Sequence, residues 1–250
     1  MREKNPLFDK LKYSIVMPLH KMGFFTDRAI KSVLEAMGKR EDIEFLILDD
    51  NPRKVAFTDD RIKHIRLPKM DLVNKLIVGT QLAKGQYYCN ADYDDISHPN
   101  KFELFDKILK YNDIAGAHNC IFYNSKTGKM YKMRNELLMR KHLYRNETIE
   151  YPWLQHSNSA IPLEWLRKVG YGNEKRIGMA HTDGKIMTDS PIWANAQIDG
   201  LTFGFFDDIK TDAWKECIQI IHGDNVNKFT DEIWNAGYIE VRLPKPKVLL

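Results

Sequence analysis

The sequence of 250 residues has no long hydrophobic run. No stretch approaches the roughly 18 consecutive apolar residues that a membrane-spanning helix needs. Residues 1–21, MREKNPLFDKLKYSIVMPLHK, also lack the continuous apolar stretch of a signal peptide. We therefore expect a soluble, cytoplasmic protein. With 43% hydrophobic residues, a chain of this length can bury a sizeable core, and we expect a single globular unit.

Cysteine is scarce in this chain. The three cysteines, Cys89, Cys120 and Cys217, lie far apart and lack the spacing of metal ligands. This pattern favours buried free thiols over a disulfide framework or a zinc site.

A strong excess of one charge is absent as well, because 38 Lys and Arg residues nearly balance 34 Asp and Glu residues. The basic residues are nevertheless unevenly placed. Residues 126–145, KTGKMYKMRNELLMRKHLYR, hold seven of them against a single acid. This local basic patch indicates either a surface for an anionic partner or a solvated helix face.

Strand-like and helix-like segments alternate in the first hundred residues. In chain order they are YSIVMPL, TDRAIKSVLEAMG, IEFLILDDN, DLVNKLIVGTQLAKG and QYYCNADYDD. Thr26 begins the first predicted helix, Gly38 ends it, and Gly85 closes the second. The alternation predicts an α/β fold with a mostly parallel sheet flanked by helices. In such sheets ligands bind at the carboxyl ends of the strands.

Acidic residues directly follow two of the predicted strands. Asp49 and Asp50 end the second strand, and Asp92, Asp94 and Asp95 end the third. Neighbouring carboxylates repel one another unless a cation, a helix terminus or solvent offsets their charge. A solvated turn that caps the following helix is one explanation. A divalent cation held together with diphosphate oxygens is the other, and the close spacing of three acids favours it.

These segments carry a resemblance to a known family. YSIVMPLHK, EFLILDDN and AKGQYYCNADYDDISHPNKFE resemble, in order and spacing, the nucleotide-binding half of family 2 glycosyltransferases with the GT-A fold. The resemblance spans roughly residues 13–106. It implies a Rossmann-like GT-A sheet and a hexosyl- or pentosyltransferase that uses a UDP-sugar.

The resemblance assigns roles around the nucleotide. Asp50 is expected to accept a hydrogen bond from the uracil. Pro18, Leu19 and His20 are expected to form the wall on the base side, although the family usually has Thr-Tyr-Asn in this region. Asp92 is expected to hold the ribose or the sugar.

The resemblance also implies a metal cofactor, Mn²⁺ or Mg²⁺, bridging the diphosphate. Asp94 and Asp95 are its expected ligands. IIHGDNVNK follows an apolar, helix-like stretch, and its His222 is expected to help ligate the metal or to contact the diphosphate, since imidazole is an acceptable ligand for Mn²⁺. The alternative for His222 is an ordinary turn residue. Lys69 and Lys75 are candidates to neutralise phosphate, as an arginine does in the family, with ordinary surface lysines as the alternative.

A candidate catalytic base lies in the second half of the chain. IMTDSPIWANAQIDG resembles the family segment that carries the base and places Asp189 there, although Thr188 stands where an acid is usual. An inverting transfer needs one carboxylate to take the proton of the acceptor hydroxyl. Ser190 and Pro191 predict a helix directly after Asp189, whose N-terminus favours an ionised carboxylate. Capping of that helix is the alternative role of Asp189, and Asp183 is then the candidate for the base.

The acceptor is less well defined by the sequence. The basic segment indicates an anionic acceptor, with contacts expected from Lys129, Lys132, Arg140 and Lys141. A hydroxymethylated base in duplex DNA is narrowly favoured, and a lipopolysaccharide, capsule or other cell-surface glycan is the alternative.

Two further function classes fit the sequence less well than a glycosyltransferase. A sugar-phosphate nucleotidylyltransferase needs a Gly-rich, Arg-containing loop after the first strand, and PLHKMGFF is not such a loop. A nucleic-acid-binding protein without catalysis leaves the acidic strand ends unexplained. We therefore expect residues 1–110 to bind the nucleotide-sugar, and residues 111–250 to bind the acceptor and supply the base.

Overall fold

A computed structural model describes most of the chain. The described residues are 11–53, 56–144, 146–170, 181–182, 185–186, 190–210, 212–222 and 236–243. The helices are α1 (Phe24–Met37), α2 (Leu72–Leu82), α3 (Lys101–Ile108), α4 (Leu163–Val169) and α5 (Ser190–Ile198). Short 3-10 turns lie at Asn135–Leu137, His156–Asn158, Phe206–Asp208 and Ala213–Glu216.

Fifteen strands are present within the described residues. They are β1 (Tyr13–Leu19), β2 (Ile43–Asp49), β3 (Ile62–Arg66), β4 (Tyr87–Asn90), β5 (Ile114–Gly116), β6 (Ile121–Asn124), β7 (Met130–Met133), β8 (Met139–Tyr144), β9 (Glu147–Pro152), β10 (Ser159–Pro162), β11 (His181–Thr182), β12 (Lys185–Ile186), β13 (Phe203–Phe205), β14 (Ile218–Ile221) and β15 (Tyr238–Val241).

A central sheet of seven strands has the spatial order β13-β5-β10-β4-β1-β2-β3. Strands β1 to β4 run parallel to one another, and β13 runs parallel to β5. Strand β10 lies antiparallel between β4 and β5. The predicted α/β class and mostly parallel sheet are thus confirmed.

The helices cover both faces of the central sheet. Every residue of β1 and β2 is buried, which is why these strands read as continuous apolar runs. On one face, Ile15 packs in a core with residues of α1 and α3. On the other face, Val16 packs with residues of α2, α4 and α5. None of the described helices is long and apolar enough to cross a membrane.

The helix boundaries follow local chemistry. Helix α1 begins two residues before Thr26, because the Thr26 hydroxyl accepts a hydrogen bond from Gly23 N at 3.0 Å. Gly38, with a positive φ of 55°, ends it. The Asp71 side chain caps α2 by accepting from Asn74 N at 2.8 Å.

A second sheet, of order β14-β6-β7-β15, lies beside the first, and β8 pairs with β9 as a separate hairpin. Two sequence-based interpretations were wrong here. The basic segment forms β7 and β8 joined by a 3-10 turn, and no helix face. The apolar stretch before His222 is strand β14 and not a helix.

Strands from both predicted halves of the chain share the central sheet. β1 to β4 come from residues 1–110, whereas β5, β10 and β13 come from residues 111–250. The functional division at residue 110 therefore does not coincide with a division of the sheet, and it stays a prediction.

Candidate active site

Asp49, at the end of β2, is turned into the protein. Its Oδ1 accepts from Asn51 N at 2.7 Å, and its Oδ2 lies 2.8 Å from His64 Nε2 and 2.6 Å from Arg66 Nη1. The side chain is fully buried. Asp49 therefore fixes the turn after β2 and leaves the neighbouring Asp50 to face the carboxyl edge of the sheet.

Asp50 forms an ion pair with Lys75 of α2. Lys75 Nζ lies 2.5 Å from Asp50 Oδ1 and also donates to Leu19 O at 2.9 Å, while Met70 N donates to Asp50 Oδ2 at 3.1 Å. Burial opposes ionisation of Asp50, but these hydrogen bonds prevail and lower its pKa. Lys75 was expected to neutralise phosphate, whereas the structure pairs it with the carboxylate predicted to read the base.

The wall predicted on the base side is only partly exposed. Pro18 and Leu19 are buried in β1, whereas His20 is exposed at its end. The His20 ring stacks on Tyr93, with centroids 6.0 Å apart and an angle of 24° between the planes. Partial desolvation of the ring and the charge of Lys75 lower the pKa of His20. Tyr93, which was not among the predicted site residues, therefore lies beside His20, and the role of Pro18, Leu19 and His20 at the base stays a prediction.

Asp94 and His222 meet beyond the end of β4. His222 Nε2 lies 2.8 Å from Asp94 Oδ2, and the His222 ring stacks on Phe25 with centroids 5.8 Å apart. These two residues are 128 positions apart in the sequence. Asp92, two residues before Asp94, accepts a hydrogen bond from Asn90 Nδ2 at 2.7 Å.

Asp95 points away from this pair. Its Oδ1 accepts from Ile220 N at 3.1 Å, and its Oδ2 accepts from Ser157 Oγ at 2.9 Å and lies 3.5 Å from Gln155 Nε2. Burial, together with the charges of Asp92 and Asp94, raises the pKa of Asp95 well above its usual value. The structure therefore uses both oxygens of Asp95 internally and gives no support to its expected role as a metal ligand.

A divalent cation fits part of the predicted ligand set. Among the described residues, no group of three or more His, Cys, Asp and Glu side chains could hold a metal ion. Asp94 and His222 still offer the carboxylate oxygen and imidazole nitrogen that suit Mn²⁺. Asn90, the last residue of β4, has a buried Oδ1 without a hydrogen-bond partner among the described residues. A metal here would take its remaining ligands from diphosphate and water.

The segment Gln155 to Ser159, QHSNS, was missed by the sequence analysis. All five of its residues are buried. Ser157 O accepts from Nζ of Lys101, a fully buried lysine whose pKa is lowered by burial, at 2.9 Å. His156 lies edge-on to Trp193 of α5, with centroids 6.2 Å apart. A run of five polar residues between apolar ones was the available signal, because buried polar residues must pair with one another.

Asp189 lies outside the described residues, as do Thr188 and Asp183. Helix α5 begins at Ser190, where the sequence predicted a helix start. The role of Asp189 as the base stays a prediction.

The four basic residues expected to contact the acceptor lie on or next to β7 and β8. Lys129 Nζ is 2.8 Å from Glu240 Oε2, and Lys141 Nζ is 2.7 Å from Glu150 Oε1. Arg140 Nη2 lies 3.8 Å from Met133 Sδ. Lys132 lies within β7. The charge of the patch is thus partly neutralised by glutamates on neighbouring strands.

Comparisons with known proteins agree on the architecture. The family model described as glycosyl transferase family 2 matches residues 14–170. Residues 1–349 of S. aureus TarS in complex with UDP-GlcNAc are 9% identical, with a TM-score of 0.56, and the match covers 90% of this chain. The same TarS region in complex with UDP is 10% identical, with a TM-score of 0.53, and the match covers 84% of this chain.

These structural matches cover 64% and 61% of the two TarS chains, so this chain spans less than two thirds of each. Similarity at this level of identity shows a shared fold. A search of curated proteins found no match.

Proposed function

The chain belongs to glycosyl transferase family 2, and from this we propose that it transfers a sugar from a UDP-sugar to an acceptor hydroxyl with inversion at the anomeric carbon. The observation that carries the proposal is the position of Asp50 and Asp94. They follow β2 and β4, the two strands that flank β1, at the carboxyl edge of the central sheet. Ligands of open α/β sheets bind in the crevice at that edge.

The donor is proposed to lie across the end of β1. Asp50, held ionised by Lys75, would accept the uracil N–H, with His20 and Tyr93 beside the base. Asp92 would hold the ribose or the sugar. The TarS structures that share this fold contain UDP-GlcNAc and UDP. UDP is therefore the nucleotide to test first.

Asp94 and His222 are proposed to hold Mn²⁺ or Mg²⁺ at the diphosphate. The cation would offset the negative charge that builds on the departing UDP. Asp95 is not part of this proposed ligand set, because its oxygens are engaged by Ile220, Ser157 and Gln155.

Asp189 is proposed as the general base. It would take the proton of the acceptor hydroxyl while the hydroxyl oxygen forms the new bond to the anomeric carbon. The bond between that carbon and the diphosphate breaks at the same time, and UDP leaves with the bonding electrons.

A hydroxymethylated base in duplex DNA is the proposed acceptor, supported by the concentration of basic residues on and around β7 and β8. A cell-surface glycan is the second candidate. It is favoured by the pairing of Lys129 with Glu240 and of Lys141 with Glu150, which reduces the charge available to phosphates.

Calorimetry with UDP, CDP and GDP, with Mn²⁺ or with EDTA, tests the donor site. We expect UDP to bind most tightly and EDTA to weaken it. Loss of a hydrogen bond to a charged group is worth about 1.5–3 kcal/mol, so Asp50→Asn should lower UDP affinity at least about tenfold and remove the preference for uridine. Asp94→Asn should abolish the effect of Mn²⁺.

Asp60→Asn, the same charge change at an exposed position, is the matched control and should bind UDP as the wild type does. With a panel of UDP-sugars, Asp189→Asn should keep UDP affinity and lower turnover about 10²-fold or more. Equal affinity for the three nucleotides in the wild type would contradict the proposed donor. Normal turnover of Asp189→Asn would assign the base to another carboxylate, such as Asp183.

A further inference from the structure

The loop after β4 carries Asp92, Asp94 and Asp95 and is called the acidic loop below. It runs antiparallel to β14 and contacts it through three successive residues. Ile96 and Ile218 exchange two backbone hydrogen bonds, of 2.8 and 3.2 Å. The Asp95 carboxylate accepts from Ile220 N at 3.1 Å. Asp94 Oδ2 then meets His222 Nε2 at 2.8 Å. Each residue along the loop therefore corresponds to two residues along β14.

The middle contact is made by a side chain in the position of a backbone acceptor. On its other side β14 pairs in parallel with β6, and the N–H groups of Ile218 and Ile220 point away from β6, toward the loop. Ile218 finds a backbone carbonyl there, whereas Ile220 finds the Asp95 side chain. A buried backbone N–H needs an acceptor, so the Asp95 carboxylate extends the hydrogen-bond ladder by one step beyond the last backbone pair.

The second oxygen of Asp95 anchors the carboxylate from the opposite side. Ser157 Oγ donates to it at 2.9 Å, and Gln155 Nε2 lies at 3.5 Å. Asp95 is 4% exposed. Asp95 thus connects the acidic loop, β14 and the buried segment Gln155 to Ser159. Its contact with β14, at Ile220, lies two residues before His222.

We propose that Asp95 is a positioning residue that fixes the register of β14 against the acidic loop and thereby sets His222 on Asp94. This inference rests on the proposed function of the site. A slip of one residue would turn the side chains of β14 to the opposite faces and move His222, the residue directly after β14, away from Asp94. The buried side chains of Ile218 and Ile220 also hold β14, so loss of Asp95 loosens the register without unfolding the sheet.

A double-mutant cycle between Asp95 and His222 tests the proposal on the full chain. In the wild-type background, Asp95→Ala should lower kcat/KM for the UDP-sugar about tenfold. In the His222→Ala background, the same substitution should lower kcat/KM less than about twofold. Asp95→Asn keeps an oxygen for Ile220 N and should stay within about threefold of wild type. Equal losses in both backgrounds, or a loss in Asp95→Asn as large as in Asp95→Ala, would overturn the proposal.

Asp106→Asn is the matched control. Asp106 is a partly buried carboxylate that accepts from Lys12, Tyr13 and Arg40, next to the first residues of β1 and thus at the opposite edge of the sheet from Asp95. Asp106→Asn should change kcat/KM by the same factor in the wild-type and His222→Ala backgrounds. Coupling of Asp106 to His222 as strong as that of Asp95 would show a general loss of stability and overturn the assignment.

Two measurements keep the test independent of folding and of the proposed function. If Asp95→Ala does not fold, Ser157→Ala removes one of its anchors and should give a smaller loss, about twofold, that also disappears with His222→Ala. Amide hydrogen exchange at Ile220 should be faster in Asp95→Ala and near wild type in Asp95→Asn. Unchanged exchange in Asp95→Ala would overturn the positioning role, whereas absence of UDP binding in the wild type would contradict only the proposed function.

Discussion

Asp50 and Lys75 form an ion pair that is almost fully withdrawn from water, with side chains 5% and 3% exposed. Removal of one member of such a pair leaves the other charge buried without compensation. A charge pair placed at a binding edge keeps a carboxylate ionised and correctly oriented before any ligand arrives. A substitution in this pair should therefore lower the stability of the folded protein even where it removes no contact with a ligand.

We predict that Lys75→Met lowers the free energy of unfolding by about 3–5 kcal/mol at pH 7. The folded state lowers the pKa of Asp50, so its contribution is present above the unfolded value of about 3.9 and is lost as the pH falls below it. The difference from wild type should therefore shrink below about pH 4. Urea denaturation across this pH range measures it.

Lys69→Met, at an exposed position just before α2, is the control and should change stability by less than about 0.5 kcal/mol. A loss below about 1 kcal/mol for Lys75→Met would show that the pair contributes little.

Neighbouring aspartates at the ends of β2 and β4 have different hydrogen-bond partners. Asp49 binds the turn after β2 and its neighbour β3, and Asp95 binds β14, whereas Asp50 pairs with Lys75 and Asp94 with His222. The sequence showed that acids gather at these ends, because spacing and strand order are local. It could not show which acid turns inward, because the partners of Asp95 come from residues about 60 and 125 positions away.

At the scale of secondary structure elements, the basic segment forms strands, whereas a helix face was one of the two alternatives that the sequence offered. As strands β7 and β8, its side chains alternate between two faces, so its charge is spread rather than gathered on one stripe. Glu240 on β15 and Glu150 on β9 further offset Lys129 and Lys141. An acceptor that binds through phosphates has to compete with these glutamates.

We predict that Glu150→Gln combined with Glu240→Gln tightens binding of duplex DNA and steepens its salt dependence, with a log-log slope of about −0.9 for each phosphate gained. Alanine at Lys129, Lys132, Arg140 and Lys141 should flatten the slope and leave UDP affinity unchanged. Filter binding at several salt concentrations measures both effects. Glu164→Gln, on the exposed face of α4, is the control.

Absence of DNA binding by the wild type at low salt, or equal binding by the variant with four alanines, would contradict the DNA acceptor. A cell-surface glycan would then be the better candidate.

The elements that the sequence predicted correctly are those with strong local signals. β1, β2 and β4 are buried runs, and α1 has a clear apolar face and the predicted Gly38 end. The end of α2 was predicted wrongly, because the helix stops at Leu82, before Gly85. β3 was missed because it alternates partly exposed residues at the sheet edge. β14 resembled a helix because a short apolar run has no period of its own. Its pairing with β6 is a tertiary contact that sequence spacing does not reveal.

At the scale of the whole molecule, two of the histidines that the structure describes, His98 and His156, are buried. Burial lowers the pKa of His98 and of His156 to about 4. Both groups have an unfolded pKa near 6.5, so between about pH 6.5 and pH 4 the unfolded chain binds more protons than the folded chain. Stability must therefore fall as the pH falls through that range. Asp95, whose pKa is raised, acts in the opposite direction.

We predict that the free energy of unfolding is about 2–4 kcal/mol lower at pH 4.5 than at pH 7. His156→Leu should reduce this difference by about 1–2 kcal/mol, because the variant has one fewer group to protonate on unfolding. Denaturant titrations at several pH values measure it. If the free energy of unfolding of His156→Leu depends on pH as that of the wild type does, His156 does not titrate in this range.

The position of β10 has a consequence for the order in which the protein is made. β10 lies between β4 and β5, yet it follows both in the chain. During synthesis β4 leaves the ribosome with one edge open, and β5 has no neighbour to join until residues 159–162 emerge. An open strand edge is a template for wrong pairing and aggregation. Any interruption of translation before residue 162 therefore leaves a nascent chain that chaperones must hold or proteases remove.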